Sequence, residues 1–232
     1  MIFNINDHKN ILVRILKDIY TNNKIGPYLG FKGGTAAYLF YDLDRFSVDL
    51  DFDLLNNEKE EIVFTEIEHI LKKYGQIKDK ANKRFNILYA LSYSDKIKNV
   101  KIEINKRNFN SEYEVMNYLG ISMLVMKKED MFANKLVAMT ERKKMANRAF
   151  FDVYFFLKNN WGINKKIVEK RTNLKYIEYI KKCIKFVNNY KQRSILSGMG
   201  ELLKNEQKRW IKKNLKRETL FLLKLQLENN RK

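Results

Sequence analysis

The chain has very little of several residue types on which particular kinds of site depend. Its 232 residues include one proline, one cysteine (Cys183) and two histidines, His8 and His69. A single cysteine excludes an intrachain disulfide, and two isolated histidines do not supply a zinc centre. We therefore expect both histidines to be surface residues.

Long apolar runs are also missing. No stretch approaches the roughly 20 apolar residues that a membrane-spanning helix needs. The first residues, MIFNINDHKNILVRIL, bring Asp7 and other polar side chains too early for a secretory signal. These absences predict a cytoplasmic protein with no membrane partner.

Positive charge is abundant, and it is concentrated in the second half of the chain. The net charge is +19, yet residues 1–125 hold 18 Lys or Arg against 17 Asp or Glu. Residues 126–232 hold 28 against 10. A lysine bias of the genome would distribute the charge evenly along the chain, so the asymmetry indicates that the second half binds a polyanion. Nucleic acid is the first candidate, and an anionic membrane surface is the second.

The first part of the chain mixes helix and strand patterns. Apolar spacing predicts amphipathic helices over 8–22 and 60–75. Four glycines and the proline within 26–34 predict a loop, followed by a short helix over about 35–41. Alternating patterns predict strands over three segments, 47–55, 84–93 and 99–105.

From about residue 127 onward the apolar spacing is helical. The helical pattern begins where the excess of positive charge begins, which places a domain boundary near residue 125. We predict an α+β fold with two domains. Domain 1–125 would carry the sheet, and domain 126–232 would be basic and helical.

The segment RFSVDLDFDL places three carboxylates, Asp49, Asp51 and Asp53, at alternate positions. On a strand they would share one face, where like charges repel. An edge strand protected against aggregation requires fewer acids. A calcium loop would need glycine where Leu54 stands. The pattern favours a third explanation, in which carboxylates hold Mg²⁺ against nucleotide phosphates.

The residues before the acidic segment are suited to a phosphate group. Gly33, Gly34 and Thr35 lead into the predicted short helix, where backbone N–H groups and a hydroxyl can reach a triphosphate. The pattern is not a P-loop, because no GxxxxGK[ST] occurs. A later predicted strand carries one further acid, Glu103.

A glycine-glycine-threonine turn before a helix, a DxD strand and a later acid together resemble the polymerase-β-type nucleotidyltransferase fold. KGGTAAYLFYDLDRFSVDLDFDLL and EDMFANKLVAMTERKKMANRAFFDVYFFL resemble the signatures of the AbiEii/AbiGii abortive-infection toxin family. The resemblance covers about residues 28–157. It implies a nucleotidyltransferase-type mixed sheet flanked by helices, then a C-terminal helical domain. It also implies a type IV toxin with a separately encoded antitoxin, in a family whose mycobacterial members add nucleotides to tRNA.

The resemblance also implies roles for residues of the first domain. Ser47, Asp49 and Asp51 match the family's SxDxD core, with the two aspartates as metal ligands. Gly33, Gly34 and Thr35 would form the nucleotide-binding turn. Glu103 fits the third carboxylate of the superfamily, as general base or metal ligand, and Asp53 lies outside the core motif.

Two further residues of the family motif fall in the second domain. Lys135 matches a lysine expected to contact nucleotide phosphates, and Asp152 an acid that would orient it or assist the site. Because Asp152 lies in the apolar run FFDVYFF, we expect it to be buried, with a lysine of the neighbouring helix as its partner. We expect the aromatic residues of this run to belong to the core. The family usually has Arg-Asp where this chain has Arg148 and Ala149.

The sequence predicts a Mg²⁺-dependent nucleotidyltransferase toxin, with Mn²⁺ as the substitute ion. It would transfer NMP from an NTP to the 3′ end of a tRNA and so block translation. Lys32, Arg45 and Arg148 are candidates for phosphate or acceptor contacts, although Lys32 and Arg45 could instead balance the acidic face. An aminoglycoside-like acceptor is cationic and fits the basic half poorly, whereas a protein acceptor stays open. The non-enzymatic alternative is a nucleic-acid-binding module whose metal site has decayed.

Overall fold

The chain forms two compact units. The computed structural model describes residues 4–94, 99–141 and 147–230. The first unit comprises Met1–Asp42, Phe46–Asn108 and Glu112–Met126, and the second comprises Leu43–Arg45, Phe109–Ser111 and Lys127–Lys232.

A single mixed sheet forms the centre of the first unit. Within the described residues its strands run in the order β3-β4-β5-β2-β1-β7-β6. Strand β2 is antiparallel to β1 and parallel to β5, and β1 is parallel to β7. The predicted α+β class is therefore confirmed. The strands are β1 (Leu29–Lys32), β2 (Leu50–Leu54), β3 (Gln76–Asn82), β4 (Asn86–Ser92), β5 (Val100–Asn105), β6 (Tyr113–Tyr118) and β7 (Ile121–Met126).

In the described part of the first unit, three α-helices accompany this sheet. Helix α1 (Ile5–Thr21) begins earlier than predicted because the Asn4 side chain caps it, accepting hydrogen bonds from the first backbone N–H groups. Helix α2 (Gly33–Phe40) follows β1 directly, and α3 (Glu60–Lys72) lies close to the predicted position. Most of the apolar stripe of α1, including Ile15 and Leu16, is buried.

Several strands were not predicted from the sequence, and each has a physical reason. Strand β1 lies in the glycine-rich segment read as a loop, where pairing on both sides buries Phe31. Strand β3 is largely exposed and polar, so it has no apolar alternation to detect. Strands β6 and β7 form a hairpin whose turn places Leu119 and Gly120 at positive φ, as a type I′ turn requires.

The second unit is helical in its described part. Two of its helices, α4 and α5, carry the second family motif, of which residues 142–146 lie outside the described residues. No helix in the described residues is long and apolar enough to cross a membrane. The helices are α4 (Lys128–Glu141), α5 (Asn147–Lys158), α6 (Lys165–Thr172), α7 (Tyr176–Asn188) and α8 (Asn205–Asn229).

The prediction that both histidines are surface residues is wrong for His8. His69 is exposed on α3, but His8 is completely buried in the first unit. The His8 ring is held at both nitrogens, with Nε2 2.9 Å from the Val48 carbonyl and Nδ1 2.7 Å from the Tyr93 hydroxyl. These hydrogen bonds satisfy the polar atoms of the ring, so burial is not costly.

Candidate active site

The start of α2 and strand β2 meet at Gly33. Gly33 has φ +85°, and a Cβ there would come within 2.2 Å of Asp51 Oδ2. The Asp51 carboxylate therefore lies against the first residue of α2, at the helix end that favours negative charge. Only glycine fits this position, because any side chain would displace Asp51 and would have to adopt a left-handed backbone conformation.

Residues 47–49 precede β2 and do not belong to it. The sequence predicted a strand over the whole segment, but the ladder begins at Leu50. Ser47 is buried, and the backbone carbonyl of Asp49 accepts a hydrogen bond from the Thr35 hydroxyl of α2. The predicted nucleotide-binding turn and the SxDxD segment are thus joined by a hydrogen bond from the Thr35 hydroxyl to a backbone carbonyl.

Parallel pairing of β2 and β5 places the predicted third carboxylate beside Asp51. Asp51 and Glu103 are register partners, and the next pair on that face is Asp53 and Asn105. Glu103 is exposed, and its Oε1 accepts a hydrogen bond from Asn86 Nδ2 at 3.1 Å. An acid in this position is accessible to a reactant.

Asp53 is held by three side chains within the first unit. Its Oδ1 accepts from Lys32 Nζ at 2.5 Å and from Asn105 Nδ2 at 2.6 Å. Its Oδ2 accepts from the Tyr113 hydroxyl at 2.5 Å, and the Tyr113 ring covers Gly30, where a Cβ would overlap it. Asp53 and Asp51 thus differ in environment, because the charge of Asp53 is balanced by Lys32.

Sequence reasoning missed two residues of this cluster. Asn105 lies one strand repeat beyond Glu103, so the period of β5 could have identified it. Tyr113 comes from β6, a strand that the sequence did not predict, and no local signal links it to Asp53. Lys32 was a candidate phosphate contact, and the structure places its ammonium group on Asp53.

The second unit contains a buried ion cluster around Asp152. The contact expected from the sequence is present, since Lys135 Nζ of α4 lies 3.0 Å from Asp152 Oδ2 on α5. Arg45 adds a bidentate contact, with Nε and Nη2 each 2.7 Å from the carboxylate oxygens. The side chains of Arg45 and Asp152 are 1% and 0% exposed, whereas that of Lys135 is 20% exposed.

The electrostatic balance of this cluster favours the ionised carboxylate. Burial by itself would raise the pKa of Asp152, but the charges and hydrogen bonds of Arg45 and Lys135 outweigh it and hold the pKa below its ordinary value. Of the aromatic residues in this run, Phe150 and Phe156 are fully buried, as predicted, whereas Phe155 is only half-buried and does not belong to the core. Arg148 lies near the start of α5, where Nε donates to the Gly198 carbonyl at 2.9 Å.

The first unit has several carboxylate oxygens that could hold a divalent cation. Among the described residues, no group of three or more His, Cys, Asp or Glu side chains is close enough to hold a metal by itself. The Asp51 carboxylate supplies hard oxygen donors beside the α2 N-terminus, and Asp49 lies two residues before it in the same segment. Mg²⁺ suits such a set, because it is commonly held by one or two carboxylates, waters and substrate phosphates.

Comparison with known proteins identifies the family. The model of the nucleotidyl transferase AbiEii toxins of type IV toxin–antitoxin systems matches residues 14–218. This chain belongs to the AbiEii nucleotidyltransferase toxin family. The match extends beyond the two motifs into α8. No curated protein sequence matches the chain.

Two solved structures share the fold of this AbiEii-family chain. A candidate nucleotidyltransferase from H. pylori superposes with a TM-score of 0.60 at 21% identity, covering 97% of this chain and 96% of its own. The structure of JHP933 from Helicobacter pylori gives 0.59 at 23% identity, with 98% and 94% covered. The nucleotidyltransferase-type fold inferred from the resemblance is confirmed, and membership of the family makes the chain a nucleotidyltransferase.

Proposed function

We propose that this AbiEii-family enzyme transfers NMP from an NTP to the 3′ end of a tRNA, with Mg²⁺ as its cofactor, and thereby blocks translation. One observation carries the proposal. The Asp51 carboxylate lies against Gly33 at the start of α2, with Glu103 as its register partner. This contact supports a site at which the backbone of Gly33, Gly34 and Thr35 would bind phosphate and the Asp51 carboxylate would bind the metal, within our proposed catalytic domain, 1–125.

Asp49 and Asp51 would hold the Mg²⁺, for which Mn²⁺ could substitute. When bound, the ion would supply charge stabilisation at the α-phosphate and at the leaving pyrophosphate. Gly33, Gly34 and Thr35 would bind the triphosphate through backbone N–H groups, while the Thr35 hydroxyl keeps the Asp49 backbone in place. Glu103 would accept the proton of the attacking hydroxyl, and its exposure gives the acceptor access.

Lys135 would contact the triphosphate, in the role that the family resemblance implies. Its partner Asp152 would orient it, and Arg45 fixes that carboxylate from the other side. A lysine held at 3.0 Å by a buried, ionised acid loses little side-chain entropy when a phosphate binds. Ser47 would support the acidic segment, and Arg148 is a further candidate for an acceptor contact.

Nucleic acid is the acceptor that the charge distribution favours. Residues 126–232, our proposed acceptor-binding domain, carry 28 Lys or Arg against 10 Asp or Glu. A type IV toxin also has a separately encoded antitoxin, which the family implies as a partner.

The proposal is tested by incubating the purified protein and Mg²⁺ with each α-labelled NTP and total tRNA. Label on tRNA is the expected result, and omission of the metal should abolish it. Label on protein instead would redirect the proposal to a protein acceptor. Absence of label on every acceptor would refute the proposed nucleotidyl transfer.

In the same assay, the Asp51→Asn variant tests the assignment of Asp51 as a metal ligand most directly. It preserves shape and removes one charge, so transfer should fall at least about 100-fold while folding persists. Asp79→Asn is the matched control, because Asp79 is an exposed acid on β3 of the same sheet. Full transfer by Asp51→Asn would show that the metal ligands have been assigned wrongly.

A further inference from the structure

The second unit contains an open cavity whose lining residues have no role in the proposed transfer reaction. It has a volume of about 440 Å³ and is lined mainly by α5 and α8. Its lining is rich in aromatic side chains, with Tyr154 and Phe155 from α5 and Trp210 from α8. Small-molecule sites commonly have volumes of about 300–1,000 Å³, so a nucleotide fits this space.

The aromatic lining includes rings that a ligand can reach. Trp210 and Phe155 are only half-buried, unlike Phe150 and Phe156 of the same aromatic run. Trp210 packs against Tyr154, with centroids 4.9 Å apart and planes inclined at 38°. Because this packing fixes the Trp210 ring, a planar ligand can stack on its exposed part. Stacking of a base on an aromatic side chain changes affinity about 5- to 150-fold per base.

The polar lining offers acceptors in a unit that is otherwise rich in cations. Asp44 and Glu206 are exposed residues of the lining, and neither forms an ion pair within the described part of the chain. Gln207 is already engaged, because its Nε2 donates to the Asp44 carbonyl and its Oε1 accepts from the backbone of Lys204, both at 2.7 Å. Lys158 adds one ammonium group.

We infer that this cavity binds an unpaired nucleobase that carries an amino group, namely guanine, adenine or cytosine. The base stacks on Trp210, Asp44 and Glu206 accept hydrogen bonds from its amino edge, and Lys158 neutralises the adjoining phosphate. Uracil fits less well, because carbonyl acceptors flank its single imino donor. The inference rests on the proposed function only in taking RNA, rather than free nucleotide, as the source of the base.

The first arm of the test measures base binding alone. The chain has two tryptophans, so Trp161→Phe leaves Trp210 as the only reporter of fluorescence. This variant is titrated with GMP, UMP and ribose 5-phosphate, without metal or NTP. We expect GMP to quench the signal at lower concentration than UMP and ribose 5-phosphate to leave it unchanged. Equal responses to GMP and ribose 5-phosphate would overturn the inference.

The second arm identifies the source of the base. A short single-stranded RNA ending in guanosine is compared with the same strand ending in an abasic residue. Trp210→Leu should weaken binding of the intact strand about 5- to 150-fold and leave binding of the abasic strand unchanged. Phe221→Leu is the matched control, since Phe221 is a 62% exposed aromatic residue on the same helix and outside the cavity. GMP binding without discrimination between the strands would assign the site to free nucleotide.

A third variant does not disturb the aromatic packing. Asp44→Asn combined with Glu206→Gln changes two exposed side chains, so the fold is preserved, and the preference for GMP over UMP should disappear. An unchanged preference contradicts the role of the carboxylates. If no acceptor is labelled but Trp210→Leu still loses base binding, the proposed function alone is refuted. Transfer that proceeds while Trp210→Leu binds both strands like the wild type would refute the cavity inference alone.

Discussion

At the residue scale, neighbouring acids of one motif have different environments. Asp53 is balanced by Lys32 and hydrogen-bonded to Asn105 and Tyr113, whereas Asp51 packs against the backbone of Gly33. The position of the Asp51 carboxylate therefore depends on the absence of a side chain at Gly33.

Gly33→Ala should reduce nucleotide transfer about 100-fold, because a Cβ 2.2 Å from Asp51 Oδ2 displaces the carboxylate by about 1 Å. Gly120→Ala is the matched control. Its φ of +80° causes similar backbone strain, but no atom lies within 4 Å of the added Cβ. Both variants should lose about 1 kcal/mol of unfolding free energy in urea, and only the first should lose transfer. Equal transfer by the two variants would contradict the role of this contact.

At the element scale, the Asp152 cluster joins α4, α5 and the segment Leu43–Arg45 inside the second unit. Residues 107 positions apart, Arg45 and Asp152, form its most buried pair. Because neither charge is solvated, removal of one partner leaves the other uncompensated. The cluster therefore fixes these elements relative to one another as well as orienting Lys135.

Asp152→Asn should lower the free energy of unfolding by about 3–5 kcal/mol at pH 7, as measured by urea titration. The exposed pair Arg217–Glu218 provides the control, since Glu218→Gln should cost at most about 1 kcal/mol.

The acid dependence of stability gives a second measurement on the same variant. The pKa of Asp152 is lower in the folded protein than in the unfolded chain, so the folded state binds fewer protons. Its stabilisation is complete above the ordinary carboxyl pKa of about 3.9 and is lost as the pH falls through the lowered value. The Asp152→Asn variant should lack this pH-dependent contribution to the free energy of unfolding. If its free energy of unfolding falls below about pH 4 with the same slope as that of the wild type, Asp152 does not make this contribution.

At the scale of the whole molecule, charge is distributed unevenly along the chain. The second unit holds most of the excess cations, many of them exposed on α7 and α8. Fields of this kind bind polyanions by releasing counterions, with little dependence on sequence. They position a nucleic acid, while recognition of particular bases requires sites such as the aromatic cavity.

RNA binding should therefore weaken steeply with salt, with a slope of log K against log[salt] near −0.7 per phosphate contact. Lys181→Gln combined with Lys185→Gln removes two exposed cations of α7 and should reduce the slope by about 1.4, measured by fluorescence anisotropy. Lys17→Gln combined with Lys83→Gln removes two exposed cations of the first unit and should leave it unchanged. Binding that does not depend on salt would exclude this electrostatic mechanism.

Features that depend on local spacing can be predicted from the amino-acid sequence alone. The acid motif, the glycine pair and most helices are read from neighbouring residues, because helix and strand periods and turn propensities act over a few positions. The buried position of Asp152 followed from its apolar neighbours, and the fold class followed from the order of the elements.

Contacts between side chains that are far apart in the sequence are set by the packing of the folded chain. His8 is buried because Val48 and Tyr93, far along the chain, satisfy its ring. Arg45 reaches Asp152, and Tyr113 reaches Asp53 from a strand without a clear sequence pattern. Register and burial are set by packing between distant segments, so no local window contains the information that fixes these partners.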